Sequence, residues 1–439
     1  MSIPQTLDRK KPRLKSGLGR TGHACLRVLA TASLSAHAQS MDSDKISTLE
    51  KQNESLQQRL DTLEGIVKQE GLMPSDTNNI SKSVVSALGQ VNISGYVQGS
   101  YFYNTRRPSD GLNDGYLWNT KDNSFSLNKF KLTVASAPVA SDKWDAAFRA
   151  SLLLGDDAPD LDSGGANGTG ANTSFNDLRE AYVELNAPIG TGLDIKAGEM
   201  ISLLNWESGD GGAANPNFSQ GLQWWFTGNG PSAGIQATYN FTDKINLTTR
   251  VDNGLFQGPV DNNSGKAFSG SLNFKPTKDL WVNLIGWYES AAGPSGSDVS
   301  GLSTIGGYQV LAALGTGWEV DYFNFSSDNG HATDIWSVGG WIWYDFTPKI
   351  DLALRADYVE DAEGFLGPAV RPGAGLPQPF STASGGDLGS VTLTLNLKPA
   401  DNIKIQPEIR YDYTSYALGL QSDGKKDRII IGCGASYLF

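Results

Sequence analysis

The sequence predicts an all-β chain: a closed antiparallel transmembrane β-barrel of about 16 strands behind a short N-terminal coiled-coil helix. Two patterns point there. From Val91 onward, apolar and polar residues alternate with period two in segment after segment. The connections between those segments alternate short and long. An absence fits both patterns. No apolar run approaches the roughly 18 residues that a spanning helix needs, so only strands would carry this chain across a bilayer.

Residues 1–38 read as an export signal. Arg9, Lys10, Lys11, Arg13, Lys15 and Arg20 make a basic start. An apolar stretch follows from about Ala24 to Leu34, interrupted by Arg27, and Ala36-His37-Ala38 offers a cleavage site. This segment holds seven Lys/Arg and one Asp, so its removal takes the formal charge from −12 to −18. So acidic a chain repels phosphates, which excludes nucleic acid as a natural partner. Cys25 leaves with the signal, and Cys433 alone forms no intrachain disulfide.

Residues 43–70 carry a heptad seam. Ile46, Asn53, Leu60 and Val67 occupy one core position, and Leu49, Leu56 and Leu63 the other. Asn53 at a core position fixes register at a cost in stability. A helix this amphipathic needs a partner, so the seam predicts a homo-oligomer, trimer or dimer, held on the periplasmic side. Residues 71–90 are rich in Ser and Asn and read as a linker.

The barrel occupies 91–439. Beyond the first strand, the alternating segments fall at 125–136, 144–154, 178–186, 193–200, 233–241, 245–253, 267–274, 280–289, 306–314, 318–326, 335–346, 350–360, 389–397, 403–414 and 428–439. Short turns such as "NAPIGTG", "FTDK", "GTG" (315–317) and "FTPK" separate pairs of strands. Long Gly/Asp/Asn/Ser-rich loops separate the pairs from one another, at about 105–123, 155–174, 201–232, 254–265, 290–305, 327–333, 361–387 and 415–427. Short turns on one side and long loops on the other are the pattern of outer-membrane barrels.

Facing agrees. In 403–414, Ile403, Ile405, Ile409, Tyr411 and Tyr413 share one face, and Lys404, Gln406, Glu408, Arg410 and Asp412 the other. The first face is too apolar for water and the second too charged for a dry core, so lipid outside and water inside satisfy both. Tyr101, Tyr103, Trp144, Trp281, Trp287, Trp341, Trp343, Tyr344, Phe346, Tyr411 and Tyr413 lie near strand ends, where interfacial girdles would stand.

Residues 91–439 resemble the putative beta-barrel porin-2 family of Gram-negative outer-membrane porins. "ISGYVQGSYFYN", "NSFSLNKFKLTVASAP", "DLREAYVELNAPIGTGLDIKAG", "NPNFSQG" and "YNFTDKINLTTRVDNG" carry the likeness. The resemblance implies passive transport of small polar solutes or ions, with no cofactor.

Enzyme chemistry has little to draw on. After signal removal His331, in "SSDNGHATD", is the one histidine left, so a His-dependent mechanism would rest on a single polar loop residue. His/Cys metal sites are excluded by count, and "DDAPDLDSGGANG" (156–168) reads as a solvated loop before a cation site.

The long loop at 201–232 is the functional candidate. It carries Leu203, Leu204, Trp206, Phe218, Leu222, Trp224, Trp225 and Phe226, unusually apolar for an exposed loop. The lumen of a barrel of about 16 strands is wide enough to receive it. Folded inward, it would narrow the pore. Glu199, Trp206, Glu207, Asp210, Trp224 and Trp225 would line the constriction. Arg149, Glu180, Glu184, Arg250, Arg355, Asp357, Glu408 and Arg410 would supply the charged wall. The acid excess favours cations mildly, and the three tryptophans offer stacking faces for sugars. The competing readings are a substrate-selective porin for sugars or other small polar solutes, and a plugged structural or adhesive barrel.

The last strand, "DRIIIGCGASYLF", aims Ile429, Ile431, Cys433, Ala435, Tyr437 and Phe439 at lipid and pairs with the first to close the sheet. Its aromatic end, Tyr437 and Phe439, resembles the signal read by the barrel-assembly machinery.

Overall fold

The computed structural model describes residues 91–114, 116, 119–158, 177–228, 230–255, 261, 264–292, 297–326, 332–366, 385–417, 419–420 and 423–439. The signal, the heptad residues, the linker, His331 and most of 156–168 lie outside them. The chain divides into two units, Met1–Val85 and Ser86–Phe439, and the second forms the barrel.

The first eight strands are β1 (Asn92–Asn104), β2 (Ser124–Ala135), β3 (Asp145–Leu154), β4 (Leu178–Ala187), β5 (Leu193–Met200), β6 (Ser232–Asn240), β7 (Ile245–Asp252) and β8 (Ala267–Phe274). Then come β9 (Leu280–Ala292), β10 (Ser297–Leu311), β11 (Leu314–Ser326), β12 (Ala332–Thr347), β13 (Ile350–Asp361), β14 (Gly386–Ala400), β15 (Ile403–Thr414) and β16 (Asp427–Leu438). Each pairs with its sequence neighbours, and β1 pairs antiparallel with β16, which closes the barrel and leaves no edge. Beyond the last ladder residue, Gly95 and Phe439 exchange backbone hydrogen bonds of 2.9 Å in both directions.

Parity is held along most strands. On β13, Leu354 and Tyr358 are exposed while Arg355 and Asp357 are buried. A bulge resets it on β2: Gln98 faces Lys129 and Gly99 faces Leu127, so the skipped Asn128 and Lys129 are buried consecutively.

Three sequence expectations need correction. Residues 297–305, read as loop, belong to β10, and the "GTG" turn is strand. Glycine density misled there, since Gly usually marks turns. On these strands Gly301, Gly307 and Gly315 stand opposite Trp287, Trp281 and Trp343. A Cβ at these glycines would meet indole atoms at 2.3, 2.5 and 2.1 Å. The glycines are therefore seats for large rings on a neighbouring strand. Second, Trp281, Trp287, Trp341 and Trp343 fall on the inward parity of β9 and β12, so they are not girdle residues. Third, the interior is not watery throughout. Ile285, Trp287, Val299, Phe323, Phe325, Ile335, Val359 and Leu388 join Leu204, Leu222, Leu255, Leu366, Tyr416 and Leu420 from the loops in one buried apolar cluster. The long loops hold a dry core against β9–β14.

Candidate functional site

The segment between β5 and β6 folds into the barrel. It contains a 3-10 turn, Gly211–Ala213, and a short helix α1, Leu222–Thr227. The loop's backbone supplies the amides and carbonyls, and the β11–β16 wall supplies the charges that bind them.

Glu408 on β15 accepts from the Phe218 amide at 2.8 Å, the Ser219 amide at 3.3 Å and Thr394 Oγ1 at 2.7 Å. Asp357 on β13 accepts from the Gln223 amide at 2.9 Å, at the first turn of α1. Glu319 on β11 accepts from the Trp206 amide at 2.8 Å. Arg355 on β13 reaches Glu207 Oε1 at 2.8 Å and Thr392 Oγ1 at 2.7 Å, and donates to the Ser219 carbonyl. Glu207 also accepts from the Gly221 amide at 2.7 Å and Trp341 Nε1 at 3.1 Å. Both side chains of the Arg355–Glu207 pair are 0% exposed. A buried pair is tolerable when every lone pair and proton finds a partner, and much of that requirement is met here.

Arg410 on β15 donates to the Gln220 carbonyl and to Asp412 at 2.6 Å. The loop after β1 enters here too. The Tyr116 ring lies 4.4 Å from the guanidinium carbons of both Arg410 and Arg428, and its hydroxyl donates to Asp412 at 2.6 Å. Burial pushes the Tyr116 phenol well above its usual range, so it stays a donor.

Apolar contacts complete the seat. Trp206 stacks on Trp341 with centroids 4.4 Å apart and covers Gly317, where a Cβ would lie 2.3 Å from the indole. Phe218 stacks on Phe102 at 5.6 Å. Across the lumen, Trp224 and Trp225 pack against Leu153 of β3 and Ala158. Asp210 meets Lys131 of β2 at 2.9 Å and the Tyr96 hydroxyl at 3.0 Å. Burial alone would raise the Asp210 carboxyl, but Lys131, Arg179 and the Tyr96 bond outweigh it and hold it below its usual value.

The predicted residues therefore divide. Glu207, Arg355, Asp357, Glu408 and Arg410 are brought together as anchors of the loop, and burial withholds their charge from the lumen. Trp206 has a neighbouring indole against its face, and Trp224 and Trp225 are partly buried. Asp210 keeps 27% of its side chain exposed. Arg250 is buried, with Gln236 and the Ile201 carbonyl as acceptors, and Glu199 is buried near it. Arg149, Glu180 and Glu184 stand apart, on β3 and β4. Arg149 bonds Glu180 at 2.7 Å with 37% of its side chain exposed, and Glu184 faces Lys196 at 3.7 Å with 17% and 24% exposed.

Sequence reasoning missed Lys131, Arg179, Lys196, Glu319, Asp321 and Tyr116. For the strand residues the signal was present: "NKFKL" and "EVDYF" alternate charge with apolar side chains at period two. Nothing local marks Tyr116, whose partners lie about 300 residues away.

An even-stranded closed barrel, apolar outside and charged inside with a loop folded into its lumen, defines an outer-membrane channel-type barrel. The chain belongs to the putative beta-barrel porin-2, OmpL-like family, whose model matches residues 90–439. No curated protein matches the sequence. Among solved structures it is similar to the trimer form of OmpT, an outer membrane protein of Vibrio cholerae, with TM-score 0.54, 13% identity, and 80% of this chain and 99% of that one covered. An anion-selective porin from Comamonas acidovorans gives TM-score 0.52 and 12% identity, with 80% and 99% covered. Pseudomonas putida OprB also gives 0.52 and 12%, with 83% and 97% covered. At such identities the likeness is one of fold.

Proposed function

We propose that the chain is an outer-membrane porin through which small hydrophilic solutes diffuse passively, with the 201–232 loop as its constriction. The observation that carries this is the seating of the loop: its amides and carbonyls are held by wall charges of β11–β16, while Arg149, Glu184 and Lys196 on β3–β5 keep part of their side chains exposed. Solutes then pass beside the loop, along the wall from β4 to β8. The exposed charges there carry both signs, Arg149 beside the buried Glu180, and Lys196 beside Glu184 and Asp194, so selectivity is weak. The acid excess of the chain tips it mildly toward cations. Diffusion needs no enzyme chemistry and no cofactor. Planar-bilayer recordings test the reading. The wild type should conduct, and deleting 208–222 should raise single-channel conductance. A silent wild type would favour the plugged structural barrel.

The heptad residues Ile46, Leu49, Asn53, Leu56, Leu60, Leu63 and Val67 would gather protomers in the periplasm, which crosslinking of cells with and without 43–70 would test. Tyr437 and Phe439, both 47% exposed on the outer face, would engage the assembly machinery. Deleting Phe439 should impair insertion while leaving export intact.

A further inference from the structure

We propose that the lumen wall of β6–β9, near the short turns, is a binding track for a neutral polyhydroxylated solute, a sugar. The proposal rests on the pore reading above and names a solute class for it. Its first element is an amide ladder. Asn240, Asn246, Asn273 and Asn283 are successive cross-strand partners, one per strand, on the inward parity of four adjacent strands. Asn246 donates to Asn273 at 3.4 Å, and Asn273 donates to Asn283. A side-chain amide carries two N–H groups and two lone pairs, so one lateral bond leaves most of that capacity free. Asn240 is exposed and the other three are half-buried, so the free capacity meets the lumen.

The second element is a flat ring beside the ladder. Trp281 occupies the next inward position of β9 from Asn283 and stands opposite Gly307. A Cβ at Gly307 would lie 2.5 Å from the indole nitrogen, so the ring covers the glycine and lies along the wall. Trp281 packs against the apolar cluster and is only partly buried, so part of its ring stays accessible. Trp343 over Gly315 repeats the glycine seat on β12, with the loop's Trp206 5.9 Å away.

The third element is neutrality. The inward residues next above the ladder on β6 and β7, Thr238 and Thr248, bond each other at 2.9 Å, and Ser271 follows on β8. Among the described residues of these four strands, no ionisable side chain stands at the inward positions until Arg250. The nearest charge on the β5 side is Asp194, opposite Thr238, so the ladder and Trp281 themselves offer amides and a ring but no counter-charge. A sugar presents hydroxyls that exchange donors and acceptors with amides, and a C–H face that stacks on an indole.

The test uses the full chain in planar bilayers, with maltohexaose added on the short-turn side and a polyethylene glycol of matching hydrodynamic radius as control. Maltohexaose should block the ion current saturably, and the glycol should not. Trp281→Ala and the double variant Asn246→Ala with Asn283→Ala should each raise the half-blocking concentration roughly five- to tenfold. Trp281→Phe should stay within about twofold of wild type. The amide variant carries the test if Trp281→Ala fails to insert. A conducting channel that maltohexaose does not block, equal block by the glycol, or unchanged block in the variants would overturn the proposal. Absence of current in plain electrolyte would instead overturn the pore reading.

Discussion

The barrel has two kinds of inner wall. On β13–β16, Arg355, Arg410 and Arg428 are between 0% and 3% exposed, and their partners Glu207 and Asp412 are 0% exposed. On β3–β5, Arg149 and Lys196 keep 37% and 24% of their side chains exposed. Both walls are charged, and composition alone does not separate them. The difference lies in what each faces. The first wall meets backbone amides, carbonyls and a tyrosine ring from two loops. On the second, Arg149, Lys196 and Glu184 meet water in part. Charge in the first is structural, because an unpaired ion in a dry seat is costly, whereas charge in the second is free to act on whatever passes.

The largest effect should come from breaking the dry side. Arg355→Met leaves Glu207 buried without its cation and frees the Ser219 carbonyl. Loss of one member of a buried pair typically costs about 3–5 kcal/mol. The loop should come off the wall before the barrel unfolds, because the strand ladders do not use this pair. Single-channel records should show raised or flickering conductance with heat-modifiable mobility on gels retained. Quiet wild-type conductance would mean that the pair does not hold the loop.

Tyr116→Phe should come next. It removes the donor to Asp412 but keeps the ring between Arg410 and Arg428. A lost bond to a charged group is worth about 1.5–3 kcal/mol. The expected result is faster proteolysis in the 105–123 loop with unchanged ion selectivity. Tyr116→Ala should act further, by exposing two guanidinium groups and drawing the reversal potential toward anions.

On the wet wall the order of effects inverts. Arg149→Ala should cost less than Arg355→Met, since Arg149 is 37% exposed and Ser151 still donates to the buried Glu180. It should nonetheless move the reversal potential in a salt gradient toward cations, because a part-exposed cation is lost and the Glu180 charge is left uncompensated. If Arg149→Ala destabilised the barrel as strongly as Arg355→Met, the two walls would not differ as described.

The sequence made strand identity, parity and the inward loop legible because each is a local pattern: alternation in "KIQPEIRYDY", or tryptophans where a loop should be polar. It left unreadable which wall would be dry. Glu184 and Glu408 look alike as alternating carboxylates on amphipathic strands. Their fates are set by whether a segment far away in sequence folds against them, as Phe218 and Ser219 do on Glu408. Glycine misled for the same reason. Gly301 reads as loop and Gly315 as turn until the partner strand brings a tryptophan over them.

The smallest effect, and the finest division between the walls, concerns Asp210. It belongs to the loop but meets β1 and β2, through Tyr96 and Lys131, and stays 27% exposed. Its carboxyl is held below the usual value, so the folded loop binds the ionised form more tightly than the unfolded chain does. A depressed carboxylate contributes fully above the unfolded value of about 3.9 and loses that contribution as pH falls through the lower folded value. The part of the conductance that Asp210 controls should therefore be flat from neutral pH down to about 4 and should change only below it. Asp210→Asn should show that low-pH conductance already at neutral pH, and should abolish the acid step. A conductance step in the wild type near pH 6 that Asp210→Asn leaves in place would assign the pH response to the wet wall and not to this contact.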